Sequence, residues 1–358
     1  MCYIRGMHNI DDRNVDRAST VAQNPDATVH RFEFRGTTAE YFKIWLVNTA
    51  LTILTLGIYA AWAKVRTKRY FYGNTFLDGA NFDYHARPLS ILIARLFVFA
   101  IIAGGGYWAE SSGMLENIFY SVALLVFFPW AFVRGLSFNA RNSSFCRIRF
   151  YFRRDYALPY VYYLLMATGV GFLVLPWLAR HYHQFKSSRH QLGELRFNFN
   201  QPSAWFYVVI FWLMMPIALV LLIVCGYLVF SGNELLRWGV IPLVVVFFAV
   251  ILHAQAWLFL LFWKNISAEN GAIFRCNFST LEFAYNILAV NYIAVLLSLG
   301  LLYPWAQVRK TNFLATRMSI VAAPDVMDNI LGMRTENEGA LGEEFADAEG
   351  FDFDVGLI

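Results

Sequence analysis

Polar side chains inside apolar segments are the residues of this sequence that could do chemistry. Asn48 lies in "LVNTALTILT", Asn286 and Asn291 lie in "AYNILAVNYIAV", and His253 and Gln255 lie in "ILHAQAW". Because burying such groups in hydrocarbon is costly, they are candidates for a solute path, with the histidine as a proton-coupling group. A second interpretation stays open, in which the asparagines make hydrogen bonds between helices and the histidine is packed and hydrogen-bonded.

Basic and aromatic side chains at the ends of apolar segments form a second candidate site. Trp62, Trp177 and Trp305 each precede a basic stretch. This pattern is typical of an interfacial helix, with rings at headgroup level and cations on anionic lipid. We therefore predict contacts with anionic phospholipid by Lys64, Arg66, Lys68, Arg69, Arg95, Arg180, Lys186, Arg189, Arg309 and Lys310. Nucleic-acid binding could use similar residues, but the membrane explains them without a further partner.

The motifs of enzymes are missing from the sequence. It has no phosphate-cradling glycine loop, no Gly-x-Ser-x-Gly elbow and no pair of metal ligands at helical spacing. His181 and His183 in "HYHQFKSSRH" would point to different faces of a helix. The four cysteines lie far apart. We predict no catalytic residue, no cofactor and no metal site.

The elements that position these residues belong to a membrane protein. Of 358 residues, 58% are hydrophobic and 15% are charged, whereas soluble domains average about 25% charged. Several apolar runs reach the length of about 20 residues that a membrane-spanning helix needs. The plainest predicted spans are Leu89–Trp108, Ile118–Val133, Ala204–Phe230 and Leu235–Trp263.

The two ends of the chain differ in composition from the body between them. Residues 1–28 form a polar leader without the apolar core of a secretory signal. Residues 323–358 hold ten acidic side chains and one basic side chain, which leaves 28 basic against 15 acidic for the rest. We predict a strongly basic membrane body and an acidic, disordered tail.

An internal repeat organises the body. Phe34, Phe152 and Phe278 lie 28, 25 and 27 residues ahead of Trp62, Trp177 and Trp305, and each is part of a short alternating segment that indicates a strand. A further alternating segment follows each basic stretch, as in "ANFDYH", "LRFNFN" and "RMSIV". We predict two and a half repeat units, with boundaries at 29–134, 135–264 and 265–322.

The distribution of basic residues indicates whether the apolar segments before the tryptophans span the membrane or re-enter it. If each one spans, the basic stretch 180–196 falls outside, against the positive-inside rule. If each one enters and returns on the same side, all basic loops and both termini are cytoplasmic. The motifs "TLG", "TGVG" and "SLG" supply turns, and Pro176 and Pro304 break the helices. We prefer re-entrant segments at 40–63, 156–179 and 282–306, with plain spans as the alternative.

The fold class predicted from these patterns is a mainly α-helical, polytopic membrane bundle with short cytoplasmic β-strands between the helices. The run "TLGIYAAWAKVRTKRYFYGNTFLDGANFDYH", with "FEFRGTTAEYF" before it, resembles the signature of the YjgN-like family of bacterial inner-membrane proteins. The resemblance covers about residues 30–321 and implies a multi-pass protein of the cytoplasmic membrane with no assigned reaction. The sequence departs from the pattern at His181, where Arg66 and Arg309 stand in the other units.

Two functions are consistent with these observations. The first is a channel or transporter-like protein in which re-entrant hairpins line a path for a small solute. The alternative is a lipid-binding structural or regulatory membrane protein that recruits a cytoplasmic partner. Homo-oligomer formation is compatible with both functions.

Overall fold

The computed structural model describes residues 27–111, 113–200, 240–269 and 271–323, together with helical residues at 219–220, 222–224, 226–228 and 230. The acidic tail from residue 324, most of the polar leader and most of the predicted span Ala204–Phe230 lie outside the described residues.

Ten antiparallel strands form one closed barrel. Each strand pairs with the strands before and after it in the chain, and the first strand pairs with the last. The strands are β1 Thr28–Phe34, β2 Thr75–Leu77, β3 Ala80–Tyr84, β4 Ser143–Phe145, β5 Ile148–Phe152, β6 His190–Leu192, β7 Leu195–Phe199, β8 Ile266–Ala268, β9 Ile273–Cys276 and β10 Met318–Ala322.

Helices connect the strands at one end of this barrel. They are α1 Thr38–Leu54, α2 Ala60–Gly73, α3 Pro88–Ser111, α4 Met114–Arg141, α5 Ala157–Ala167, α6 Val170–Leu173, α7 Leu175–Ser188, α8 Val240–Lys264, α9 Glu282–Leu297 and α10 Tyr303–Arg317. The first eight residues of α9 form a π-helical stretch, Glu282–Ala289.

The order of the strands decides where these helices lie. In an antiparallel ring of sequential strands, successive connections alternate between the two ends of the barrel. The described helices all lie between an odd strand and the next even strand, whereas even strands reach the next odd strand through short turns. The helices therefore share one end, called here the helical end. The short turns share the opposite end, called here the turn end.

The barrel interior is filled by apolar side chains. The strands alternate, so that in β5 Ile148 and Phe152 are buried while Arg149 and Tyr151 are exposed. Inside, the rings of Phe82 and Phe145 lie 4.7 Å apart, and leucine, isoleucine and alanine from the other strands pack around them. The barrel is thus a packed core.

Aromatic residues close the helical end of the barrel. Five of them end or follow the odd strands and are buried: Phe34, Tyr84, Phe152, Phe199 and Phe278. Each packs against an aromatic ring of a connecting helix, as Phe152 does on Phe185 at 5.7 Å and Phe278 on Phe313 at 5.2 Å. These contacts fix the helices to the barrel.

The predicted fold class is wrong. The strands are not short pieces between the helices of a bundle but one continuous ring that organises the chain from residue 28 to residue 322. Six strands were predicted from their alternation. The prediction missed β2, β4, β6 and β8, which are three residues long and too short for alternation to show. Without them, the remaining strands have no partners to form a ring.

Three of the described helices have the length and composition to cross a membrane: Pro88–Trp108, Met114–Arg141 and Ile241–Lys264. They overlap the predicted spans Leu89–Trp108, Ile118–Val133 and Leu235–Trp263. Shorter apolar helices, Ala157–Ala167 and Glu282–Leu297, lie in the segments that were predicted to re-enter.

Candidate functional site

Two short helical hairpins carry most of the polar residues that the sequence singled out. The first hairpin is formed by α1 and α2, and the last hairpin by α9 and α10. Because β1 and β10 are neighbours in the barrel, the two hairpins lie side by side. Tyr41 of the first hairpin is buried in one cluster with Val308 and Ala315 of the last hairpin.

The two hairpins turn with the same backbone conformation. Leu56 and Leu299 have φ angles of 50° and 51°, and Gly57 and Gly300 follow with φ angles of 93° and 92°. In each turn the glycine N–H donates to a carbonyl five residues earlier at 2.8 Å, which closes the C-terminus of the entering helix. The motifs "TLG" and "SLG" were predicted to be turns, and the described backbone has turns there.

One asparagine in each hairpin joins its two helices. Asn48 Nδ2 donates to the carbonyl of Ala63 at 3.4 Å, and Asn291 Nδ2 donates to the carbonyl of Ala306 at 3.0 Å. Both asparagines are buried, and each bond joins residues fifteen apart in the chain. In both cases the amide therefore makes the interhelical bond that the second interpretation of these residues expects.

The side-chain carbonyl oxygens of these two asparagines differ in their hydrogen bonding. Asn291 Oδ1 accepts a hydrogen bond of 3.0 Å from Arg309 Nη1, and the guanidinium of Arg309 lies 5.1 Å from the ring of Trp305. Asn48 Oδ1 is buried and has no hydrogen-bond partner among the described residues. Arg66, the counterpart of Arg309, is exposed.

The tips of both hairpins are apolar and fully exposed. Leu56 is 95% exposed and Leu299 is 94% exposed, and the leucines and isoleucines next to them are also exposed. Isolated exposed leucines are common on proteins, but contiguous apolar tips on two neighbouring hairpins indicate an apolar environment.

Two basic side chains of α2 are held by the protein itself. Lys68 Nζ donates to Asn139 Oδ1 at 2.9 Å and also lies over the ring of Tyr84 at 5.1 Å. Arg69 donates to the carbonyls of Tyr84 and Ala86 at 3.1 Å and 3.2 Å. These two residues join α2 to α4 and to the end of β3, a role that their sequence pattern did not reveal.

The other predicted lipid contacts have mixed surroundings. Arg189 forms an ion pair with Asp155, and Arg180 Nε is buried without a hydrogen-bond partner in the described part of the chain. The remaining residues of the set lie half-buried: Lys64, Arg95, Lys186 and Lys310. Burial lowers the pKa of Lys310.

The predicted solute-path residues His253 and Gln255 lie on α8, which packs against the π-helical stretch of α9 that carries the exposed Asn286. The ring of His253 lies 6.5 Å from that of Tyr285, and its Nδ1 atom is buried without a hydrogen-bond partner among the described residues. Gln255 is exposed. No group of three metal-ligating side chains occurs in the residues that were described.

The helices α5 to α7 connect β5 to β6, as the two hairpins connect their own strands. Their polar contact is made by a histidine and not by an asparagine and an arginine. Gly169 has a φ angle of 77° at the bend. His181, at the position of Arg66 and Arg309, lies 4.2 Å from Trp177 and is hydrogen-bonded through Nδ1 to its carbonyl oxygen. Trp177 is half-exposed, and Trp62 and Trp305 are partly buried. All three tryptophan rings are therefore at least partly exposed on the surface of their helices.

Long apolar helices on one end of a barrel, with basic side chains between them, define a membrane protein. The chain belongs to the family described as "Bacterial protein of unknown function (DUF898)", whose model matches residues 29–348. This confirms the resemblance to a YjgN-like family.

Relatives of this chain are named inner membrane protein YjgN. The chain is 34% identical to that of Escherichia coli O157:H7 over 160 residues, which are 42% of this chain and 39% of the relative. It is 33% identical to that of Salmonella typhimurium strain LT2 over 141 residues, 38% of this chain and 34% of the relative. The matches thus span about two fifths or less of these relatives. No solved structure matches the chain. With its apolar helices and these relatives, the protein is an inner-membrane protein.

Proposed function

We propose that this protein binds anionic phospholipid by inserting short helical hairpins into one side of the membrane. Its role in this proposal is binding and not catalysis. The exposed apolar tips, Leu56 and Leu299, carry the proposal, because they lie at the far end of hairpins whose returning helices bear basic side chains near the barrel.

The length of the hairpins supports insertion without crossing. Helix α1 has 17 residues, which at 1.5 Å per residue gives about 25 Å. The hydrocarbon core of a bilayer is about 30 Å thick. The chain then turns at Gly57 and comes back to the barrel through α2. The hairpin therefore reaches into the bilayer and returns to the side it left.

The charges of the helical end fit a phospholipid surface. An arginine or lysine close to an anionic leaflet contributes about 1 kcal/mol of attraction. The exposed guanidinium of Arg66, one turn of α2 beyond Trp62, would reach the headgroups. By the positive-inside rule, the barrel and both ends of the described chain lie in the cytoplasm.

Transport of a solute stays a prediction. In the described structure the barrel interior is packed with apolar side chains, and Asn48 and Asn291 bond to backbone carbonyls of their own hairpins. The clefts between α4 and α5 are open and mostly apolar. Lipid binding needs none of these residues to line a path, and the geometry supports it better.

Depth measurements test the proposal directly. Spin labels at Leu56→Cys and Leu299→Cys, in a background without the native cysteines, are expected to be accessible to oxygen but not to a polar nickel complex in phosphatidylglycerol nanodiscs. A label at Tyr151→Cys on the outer barrel wall is the matched control and should be accessible to the nickel complex. Native mass spectrometry should show more retained phosphatidylglycerol than phosphatidylcholine. Hairpin labels in water, or equal retention of both lipids, would contradict the proposal.

A further inference from the structure

The two neighbouring hairpins allow an internal comparison of one arginine position. Arg66 stands eighteen residues after Asn48, and Arg309 stands eighteen residues after Asn291. The turns between them have matching backbone angles, and both asparagines make the same bond to the returning helix. The two hairpins thus share the geometry of the turn and of the asparagine bond, although α9 begins with a π-helical stretch that α1 does not have.

In the last hairpin the arginine is docked. Arg309 donates to Asn291 Oδ1 at 3.0 Å and covers the ring of Trp305. With Nδ2 bonded to the carbonyl of Ala306, both ends of this buried amide have partners. Arg309 thus completes the hydrogen bonding of a group that water does not reach.

In the first hairpin the same docking place is empty. Asn48 Oδ1 is buried and lacks a hydrogen-bond partner, and Arg66 is exposed and makes no hydrogen bond or ion pair with any residue that the structure describes. A buried acceptor without a donor is unfavourable, and most such groups in proteins are paired. In the last hairpin the arginine at the same sequence spacing supplies the donor that Asn48 Oδ1 lacks.

Two cations close to Arg66 on α2 are already bonded within the protein. Lys68 is bonded to Asn139, and Arg69 is bonded to the carbonyls of Tyr84 and Ala86. Arg66 is the guanidinium of α2 that is exposed beside Trp62 without such bonds in the described chain. A guanidinium of this kind binds phosphate oxygens through paired N–H groups.

We propose that Arg66 is the phosphate ligand of the first hairpin, binding the anion from its exposed position, and that it exchanges with a docked position on Asn48 Oδ1 of the kind that Arg309 has on Asn291. This inference rests on the proposed lipid binding and assigns it to one side chain. The ligand is a phosphate oxyanion, supplied by a phospholipid headgroup or by free phosphate. Arg309 is a positioning residue of the last hairpin and does not bind the phosphate.

Matched arginine variants test this assignment. Arg66→Gln is expected to weaken retention of phosphatidylglycerol about fivefold, the change that follows from losing one cation near an anionic surface, and to leave the melting temperature in detergent unchanged. Arg309→Gln is expected to lower the melting temperature and to leave lipid retention by the folded protein unchanged. Equal lipid loss in both variants, or none in either, overturns the inference, while a wild type that retains no anionic lipid overturns the proposed function itself.

The asparagine gives a second and independent readout. Asn48→Leu removes the acceptor that competes with the phosphate for Arg66, so the affinity for phosphatidylglycerol should rise. Asn291→Leu is the control and should not raise this affinity. Reduced affinity in Asn48→Leu would mean that the amide itself holds the lipid, against the proposal.

Titration with inorganic phosphate distinguishes the two sources of the phosphate group, a phospholipid headgroup and free phosphate. Protection of the wild type but not of Arg66→Gln against thermal unfolding assigns the site to free phosphate, and protection by phosphatidylglycerol alone assigns it to lipid. Equal protection of Arg66→Gln by either ligand contradicts the proposal.

Discussion

The imidazole Nδ1 of His30 on β1 is hydrogen-bonded to the carboxylate Oδ2 of Asp78 in the turn between β2 and β3. The other ring nitrogen of His30 is 2.8 Å from Thr28 Oγ1, and that hydroxyl also donates to the carbonyl of Ala322 on β10 at 3.3 Å. This chain of contacts joins β10, β1 and β2 at the turn end, where the first and last strands meet.

Replacing His30 should weaken the closed barrel. Because His30 is buried, His30→Ala leaves Asp78 and Thr28 without their partner, and we expect a loss of about 2 kcal/mol in the free energy of unfolding. Thermal or denaturant unfolding in detergent measures this loss. Glu33→Gln, which breaks the exposed pair with Arg35, is the control and should leave the midpoint unchanged. An unchanged midpoint in His30→Ala would mean that these contacts do not hold the ring together.

Stability should depend on pH through His190 on β6. Burial lowers the pKa of His190 to about 4, from 6.5 for an ordinary histidine. The folded protein thus favours the neutral ring, and the stabilisation is fully present above pH 6.5. As the pH falls from 6.5 towards 4, the unfolded chain takes up a proton that the folded chain does not, and up to about 3 kcal/mol is lost.

The pH dependence is measured by unfolding midpoints between pH 4 and pH 8. His190→Gln keeps a polar side chain against Phe152 and the carbonyl of Lys186 but cannot titrate. Its stability should therefore fall less steeply below pH 6.5 than that of the wild type. Parallel curves for the two proteins would refute the role of His190.

The exposed turn between β4 and β5 carries backbone strain. Cys146 and Arg147 have φ angles of 51° and 66°, whereas the equivalent turn between β2 and β3 uses Asp78 and Gly79 at 48° and 80°. Since a non-glycine residue in this region costs about 1 kcal/mol or more, Arg147→Gly should raise the free energy of unfolding by about 1 kcal/mol.

Gly79→Ala is the opposite experiment in the same barrel. A Cβ on Gly79 would meet no atom within 4 Å, so its effect reports on the backbone angle alone. We expect it to lower the free energy of unfolding by about 1 kcal/mol. Unfolding curves in detergent give both values, and two changes of the same sign would argue against backbone strain as the cause.

A charged residue at an apolar tip should destabilise the protein only when the protein is in a membrane. Leu56→Arg would place a cation in the hydrocarbon, at a cost of about 3 kcal/mol, and should lower the melting temperature in phosphatidylglycerol nanodiscs. Tyr151→Arg, at an exposed aromatic residue of the outer barrel wall, should not change it. If both variants have the same melting temperature as the wild type, the tip at Leu56 lies in water.

Local patterns revealed part of this architecture. The aromatic residues Phe34, Phe152 and Phe278 stand out because they end alternating segments, and they do anchor the helices. Tyr84 and Phe199 lie in the alternating segments "ANFDYH" and "LRFNFN" and have the same role. Closure of the ring depends on pairing between Thr28 and Ala322, which are 294 residues apart. Periodicity in a short window cannot report such a contact.

The sequence was sufficient to predict the residues of the candidate site and the asparagine bonds, but not the different positions of the two arginines. Asn48 and Asn291 stand out as amides in apolar helices, and their bonds within each hairpin follow from spacing and turn. Arg66 and Arg309 look equivalent in the sequence, since both follow a tryptophan by four residues. Only the structure separates the docked arginine from the exposed one.

A ring whose first strand pairs with its last has a consequence for biosynthesis. While the ribosome is still translating, β1 has one neighbour and waits for β10, which follows about 280 residues later. During that interval two strand edges are open, and open edges can pair with other chains. Apolar helices that enter the bilayer as they emerge would hold the growing strands near one another and so limit aggregation before translation ends.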